Sequence, residues 1–114
     1  TRDPRSVFYS MKFRGSYAYP GYDIEKFVKW YDEIFSKQKL LQKQQKNIIN
    51  IKFEKFFNDD DYKLKLEKFL KIPSIKPKKF DFDFTKNNIY KAKDGLSKNE
   101  LNFIKKKLKK YLQW

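Results

Sequence analysis

Apolar residues recur three or four positions apart in four segments of the chain, which predicts four helices. Each segment begins with residues that favour a helix start, either an aspartate at the N-cap or a Ser-x-x-Glu capping box. The predicted helices span about residues 4–13, 24–46 and 59–72, and a final helix begins after Ser97. The residues expected to face a core are Val7, Phe8, Met11, Ile24, Phe27, Val28, Tyr31, Ile34, Phe35, Tyr62, Leu66, Phe69, Leu70, Leu101, Ile104, Leu108, Tyr111 and Leu112.

One short segment has the alternation of a strand. Ile49, Ile51 and Phe53 fall on one face of a predicted strand over about residues 47–53. A buried strand needs hydrogen-bonded neighbours, and the weaker alternation of residues 80–84 is the other candidate for pairing. The pattern therefore predicts an α/β fold that is mostly helical, with one clear core strand and a truncated sheet.

The connection over residues 74–93 is long and contains Pro77. Connections of this length without a regular pattern are more often lids or binding loops than idle linkers. We therefore predict an irregular closing loop ahead of the final helix.

Composition narrows the chemistry. The 114 residues include 12 Phe, 8 Tyr and 2 Trp, enough large side chains for the core of one domain spanning residues 1–114. The sequence has no Cys and no His, which removes disulfides, thiolate nucleophiles, imidazole bases and the usual zinc sites. We expect no metal site.

The formal net charge of +14 favours anionic partners, but it does not choose among nucleotides, acidic glycans, nucleic acids and membrane surfaces. No apolar run approaches the ~20 residues that a membrane-spanning helix needs. The chain shows neither an initiator methionine nor a signal sequence, so we expect it to be a piece of a longer protein.

The strongest candidate for chemistry is the pair Arg2 and Ser10, which are eight positions apart across the start of the first helix. A guanidinium offers a planar fork of donors, and a hydroxyl two turns along the helix can reach the same anion. An Asp-Pro helix start beside an arginine is also common in proteins that bind nothing. The segment resembles the 3′-phosphate-binding motif of sulfotransferases that use 3′-phosphoadenosine 5′-phosphosulfate (PAPS), in which an arginine and a serine flank an RDPR-like turn.

Two further segments carry the same resemblance. Residues 48–54 resemble the strand that ends in an acidic residue in that family, with Phe53 where many members have a tyrosine near the adenine and Glu54 in the acidic position. Residues 87–93 are similar to the basic loop that closes over the nucleotide, although the glycine-rich form of that loop is absent. The residues that the resemblance implies for nucleotide binding are Arg2, Ser10, Phe53, Lys86, Lys91 and Lys93.

The resemblance implies the C-terminal part of a P-loop-like sulfotransferase domain, whose parent protein transfers a sulfuryl group from PAPS to a hydroxyl acceptor such as a glycan. The phosphosulfate loop and the catalytic base of the family are expected upstream, so no catalytic residue is assigned and the chain alone is expected to be inactive. No specific nucleic acid, membrane span or oligomeric state is implied. A cytoplasmic location is expected, with the Golgi lumen as the alternative in a eukaryote.

A different class remains open, a basic helical module that binds nucleic acid. The +14 charge and the aromatic residues between lysines favour it. Against it, the lysines are spread over every predicted helix, and the three arginines all lie within the first 14 residues. A lysine-rich scaffold that contacts acidic proteins is a third interpretation.

Overall fold

A computed structural model describes residues 1–13, 20–45, 47–73 and 89–114. These residues form six α-helices and one short 3₁₀ helix, and four of the six α-helices correspond to the predicted ones. The elements are α1 (Pro4–Phe13), α2 (Ile24–Gln44), α3 (Phe53–Asn58), α4 (Asp60–Leu70), α5 (Lys91–Gly95), α6 (Lys98–Lys107) and the 3₁₀ helix Lys109–Tyr111.

Capping side chains fix the helix starts that the sequence indicates. The Asp23 carboxylate accepts hydrogen bonds from the backbone N–H groups of Glu25 and Lys26 at 3.0 and 3.1 Å. Ser97 and Glu100 form the predicted capping box at the start of α6. Because these bonds satisfy N–H groups that lack partners in the first helical turn, they place each start within a residue of its prediction.

The core lies where α1, α2, α5 and α6 converge, and aromatic rings fill much of it. Phe8 of α1 and Phe27 of α2 have ring centroids 4.9 Å apart. The buried members of this core are Phe8, Phe27, Tyr31, Ala92, Leu96, Ile104 and Leu108. Most of these positions belong to the predicted apolar faces, whereas Ala92 and Leu96 come from a segment that was expected to be irregular or to flank it.

The helices α3 and α4 form a smaller layer beside this core. Phe57 and Leu66 are buried, but Phe69 and Leu70 are 41% and 46% exposed. The prediction that Phe69 and Leu70 face a core is therefore wrong. Helix α4 packs on the short α3, Leu66 is its buried residue, and its last turn is in contact with solvent.

The predicted α/β fold is also wrong, because the described residues contain helices and no strand. Residues 48–52 have no regular structure, and Phe53 begins α3 instead of ending a strand. Backbone groups that a sheet would pair find other partners: the Lys52 N–H donates to the Tyr62 hydroxyl at 2.8 Å, and the Phe53 N–H donates to the Thr1 carbonyl at 2.7 Å. These bonds satisfy the segment without neighbouring strands.

The structure describes only part of the predicted closing loop over residues 74–93. The predicted closing loop lies mostly outside the described residues, as does the 80–84 segment, but its last part forms α5 from Lys91. No helix in the described ranges is both long enough and apolar enough to cross a membrane.

Gly95, the last residue of α5, lies very close to the Tyr9 ring of α1. A Cβ atom on Gly95 would lie 2.1 Å from Cε2 of Tyr9. We expect Gly95→Ala to lower the free energy of unfolding by about 1–3 kcal/mol, the scale of overpacking. Helix propensity alone favours the opposite sign, by roughly 0.5–1 kcal/mol.

Urea denaturation of four proteins tests this contact: wild type, Gly95→Ala, Tyr9→Ala and the double variant. In the Tyr9→Ala background, the added methyl group should be neutral or stabilising because the ring is gone. A Gly95→Ala variant more stable than wild type would contradict the close approach.

Candidate anion-binding site

The start of α1 is held by a fully buried carboxylate. Asp3 caps the helix by accepting a hydrogen bond from the Arg5 N–H at 2.9 Å. It also accepts from Nε and Nη2 of the Arg5 guanidinium, both at 2.8 Å, and from the Gln113 N–H at 2.7 Å. A bidentate pair with two further bonds leaves this carboxylate no capacity for a ligand and fixes the backbone on either side of it.

The Arg5 guanidinium is correspondingly enclosed. Its central carbon lies 3.5 Å from the centroid of a Trp114 ring, and Nη2 donates to the Trp114 carbonyl. Arg5 is only 7% exposed. Although Arg5 belongs to the motif, it binds the protein itself rather than the space in front of α1.

Glu54, the acidic residue of the second motif, connects α3 to the start of α1. Its Oε1 accepts a hydrogen bond from the Asp3 N–H at 2.9 Å, and the residue is 1% exposed. The other oxygen, Oε2, is buried and has no hydrogen-bond partner among the described residues. Burial raises the pKa of the Glu54 carboxyl, while the Asp3 N–H and the charge of Arg2 oppose the rise.

Arg2 occupies the boundary between this buried cluster and solvent. Its Nε is 4.0 Å from Oε1 of Glu54, and its side chain is 39% exposed. The same Nε has no hydrogen-bond partner in the described part of the chain. The Arg2 carbonyl accepts a hydrogen bond from the Tyr31 hydroxyl, which anchors the residue to α2. Arg2 is thus fixed by its backbone while its guanidinium retains donors for a ligand.

A small cleft beside Arg2 brings together three of the residues predicted to bind the nucleotide. Arg2, Ser10 and Lys91 all line it, around a volume of about 30 Å³. A cavity needs about 10–15 Å³ to hold one water molecule, so the cleft admits a small polar group. The remaining lining residues are Ser6, Tyr9, Ile89 and Ala92, and none of the lining residues is acidic.

Lys91 reaches this cleft because α1 holds the start of α5. The Ser6 hydroxyl donates to the Ile89 carbonyl at 3.0 Å, and Ile89 is 1% exposed. This contact places the residues after Ile89 against the face of α1 that carries Ser10. Two cationic groups and a hydroxyl therefore surround one space.

The other predicted residues lie in different surroundings. The Arg2 guanidinium carbon is 5.1 Å from the ring centroid of Phe53, so this ring is next to the cleft. Lys93 lies elsewhere, with Nζ 4.8 Å from the Tyr90 ring centroid and 5.3 Å from that of Trp114. Lys86 falls outside the described residues.

Ser6 and Tyr9 line the cleft, but the sequence analysis missed both of them. Ser6 lies four positions before Ser10, and Tyr9 lies three positions after Ser6. These spacings were a usable signal, since i, i+3 and i+4 positions share one face of a helix. Ile89 and Ala92 offered no such signal. The described residues contain no cluster of acidic side chains that is able to hold a metal ion.

Comparison of the chain with protein-family models, curated proteins and solved structures found no match. The cleft is thus interpreted from its own geometry and from the motif resemblance.

The buried Glu54 carboxyl generates a prediction about pH. Because its pKa is raised by burial, the folded protein binds this proton more tightly than the unfolded chain does. Between the ordinary glutamate pKa and the raised value, the folded state holds more protons, so the free energy of unfolding falls as pH rises. Glu54→Gln should remove this contribution.

Urea denaturation of wild type and Glu54→Gln at intervals from about pH 4 to 8 measures it. The stability of wild type minus that of the variant should decrease with rising pH. Glu33→Gln on the exposed side of α2 controls for loss of one carboxylate. A difference between wild type and Glu54→Gln that stays constant with pH would contradict the prediction.

Proposed function

We propose that this chain binds the 3′-phosphate of a PAPS-type nucleotide, as part of a sulfotransferase that transfers a sulfuryl group to a hydroxyl acceptor such as a glycan. The observation that carries the proposal is the meeting of Arg2, Ser10 and Lys91 around one small cleft. The motif resemblance supplies the identity of the nucleotide, and the cleft supplies the chemistry that suits a phosphate.

The cleft suits a phosphate for three reasons. Arg2 offers a planar fork of donors, Lys91 adds a second positive charge, and Ser10 adds a neutral hydroxyl donor. Donors approaching from different elements fix the orientation of a tetrahedral anion. The carboxylate of Asp3, next to Arg2 in the motif, accepts hydrogen bonds from Arg5 and Gln113. Its charge is therefore compensated by Arg5 and is not directed at the ligand.

The aromatic neighbour supports a nucleotide over a bare phosphate. Phe53 lies against the Arg2 guanidinium, so a ligand bound through its phosphate would have a flat apolar surface beside it. Bases stack on aromatic rings with about 1–3 kcal/mol per base. The hydroxyl contact that a tyrosine makes with adenine elsewhere in the family is absent at Phe53.

This function does not require the sheet that the sequence predicted. The phosphate contacts come from the segment before α1, from α1 itself and from α5, all of which belong to the helical core. The groups that activate the acceptor and bind the phosphosulfate are assigned to no residue of this chain. The chain alone is therefore proposed to bind the nucleotide without transferring sulfate.

Substitutions at Arg2 and Ser10 test the proposal directly. Arg2→Ala should weaken binding of adenosine 3′,5′-bisphosphate by about 2–3 kcal/mol, and Ser10→Ala by roughly 1 kcal/mol, because a charge-assisted and a neutral hydrogen bond are lost. Isothermal titration calorimetry on the 114-residue chain measures both. Lys29→Ala on α2 removes the same unit of charge away from the cleft and serves as the control.

In wild type, 5′-AMP should bind at least tenfold more weakly than the bisphosphate, since it lacks the group that the cleft holds. Equal affinity for the two nucleotides, or unchanged affinity in Arg2→Ala, would contradict the proposal.

Two lysines of α5 provide a sharper comparison. Lys91 lines the cleft, whereas Lys93 lies over Tyr90 and Trp114. Lys91→Gln should weaken bisphosphate binding by about 1–2 kcal/mol, the scale of one charged contact, while Lys93→Gln should leave it nearly unchanged. Both variants have the same net charge. Equal losses of bisphosphate affinity would therefore show that overall charge attracts the ligand and that Lys91 makes no specific contact with it.

Binding to nucleic acid is the outcome that would favour the competing class. That class predicts tight, steeply salt-dependent binding of single-stranded DNA without competition from the bisphosphate. The proposal predicts that the bisphosphate binds and that Arg2→Ala removes most of this binding.

A further inference from the structure

A second and larger cavity lies between α2, the segment 49–52, α4 and the C-terminal residues. Its volume is about 430 Å³, within the range of about 300–1,000 Å³ that is usual for small-molecule sites. It shares no lining residue with the Arg2 cleft. The residues lining the larger cavity are Thr1, Tyr31, Phe35, Lys39, Gln42, Ile49, Asn50, Lys52, Tyr62, Lys65, Lys110, Tyr111 and Gln113.

Aromatic rings form one continuous wall of this cavity. The ring centroids of Tyr31 and Phe35 are 4.2 Å apart, and that of Tyr111 lies 5.5 Å from Tyr31 and 6.0 Å from Phe35. Tyr31 is fully buried and supports the wall from behind, so the accessible ring surface comes from the half-buried Phe35 and Tyr111. Such a surface suits the flat face of a ring.

The tyrosine hydroxyls of the cavity are held by the protein. Tyr31 donates to the Arg2 carbonyl, and Tyr111 lies 2.9 Å from Oδ1 of Asp32. The Tyr62 hydroxyl accepts from the Lys52 N–H and donates to the Asn50 carbonyl. These bonds fix the rings in place, and the half-buried Tyr62 and Tyr111 keep apolar ring surface that a ligand can contact.

The charge in the cavity has one sign. Lys39, Lys52, Lys65 and Lys110 line it, and no lining residue is acidic. Lys110 is paired with Asp32 at 2.8 Å, whereas the other three lysines are exposed at the rim. A low-dielectric wall beside a cluster of one sign strengthens attraction for the opposite charge. An uncharged ring would make no ion pair with these lysines, and a small inorganic anion would make no contact with the aromatic wall.

We propose that this cavity binds small aryl anions, meaning a flat aromatic ring that carries one sulfonate, sulfate, phosphate or carboxylate group. The ring lies against Phe35 and Tyr111, and the anionic group lies toward Lys39 and Lys65. The site is independent of the proposed nucleotide function because the two sites have no lining residue in common.

Calorimetric titration of the 114-residue chain with naphthalene-2-sulfonate tests this site at low ionic strength. Two partial ligands separate the two requirements: 2-naphthol has the ring without the charge, and methanesulfonate has the charge without the ring. Each should bind at least tenfold more weakly than naphthalene-2-sulfonate. Equal binding of either partial ligand, or no binding of the complete probe, would overturn the proposal. The naphthyl phosphate and the naphthoate then show which anionic group the site prefers.

Variants locate the bound probe. Lys39→Gln and Lys65→Gln should each weaken it about threefold, as expected for partly exposed ion pairs, and Lys105→Gln on α6 should not. Phe35→Leu should weaken it about fivefold through loss of ring contact, with Phe103→Leu on α6 as the matched control. The lysine variants keep the test decisive if Phe35→Leu alters the fold, which circular dichroism reports.

Arg2→Ala distinguishes the two sites. Naphthalene-2-sulfonate should bind this variant as it binds wild type, and adenosine 3′,5′-bisphosphate should not compete with the probe. Competition together with loss in Arg2→Ala would place the probe in the smaller cleft and overturn the second site. Equal weakening by Lys39→Gln, Lys65→Gln and Lys105→Gln would show attraction by net charge alone and would also overturn it.

Discussion

The Asp3 carboxylate is the interaction on which the arrangement around α1 depends. It lies at 0% exposure and accepts four hydrogen bonds, three from Arg5 and one from the Gln113 N–H. One group thus starts α1, neutralises a buried guanidinium and holds the C-terminal residues against the N-terminal ones. Removing one partner of such a buried pair costs about 3–5 kcal/mol, because the other charge is left without compensation. The conformation of the whole motif follows from satisfying that charge.

The pairing of Asp3 also explains why Arg2 and Arg5, three positions apart, have different roles. Arg5 is used up by Asp3 and by the Trp114 ring, so it is structural. The Arg2 guanidinium lies 4.0 Å from Glu54 and 5.1 Å from the Phe53 ring centroid, and the side chain remains 39% exposed at the cleft. The buried Glu54 bonds the Asp3 N–H and contributes negative charge behind Arg2, which holds the guanidinium without covering its outer donors. Arg2 thus stays partly exposed at the surface because Asp3 is already paired with the buried Arg5.

The helix starts were predictable from the sequence because their causes are local. Asp23 and the Ser97–Glu100 box act within three residues of themselves, and the apolar stripe of α2 is continuous along the chain. The strand over residues 47–53 failed for the opposite reason. Alternation shows that a segment suits a sheet, but whether it joins one depends on distant partners, and here these partners are Tyr62 and Thr1. Local pattern contains no information about them.

The candidate site shows the same division between local and distant causes. Arg2 directly precedes the Asp3 cap of α1 and Ser10 lies within α1, so their spacing already limited where each could lie. Lys91 and Lys93 were indistinguishable in the sequence, because which of them reaches the cleft depends on Ser6 holding the Ile89 carbonyl, a contact between residues 83 positions apart. Net charge cannot make this distinction either, since +14 attracts any anion and is screened by salt. Selectivity among anions must therefore come from the short-range surroundings. A narrow cleft of fixed donors suits a compact phosphate, and a wide cavity with an aromatic wall suits an anion that carries a ring.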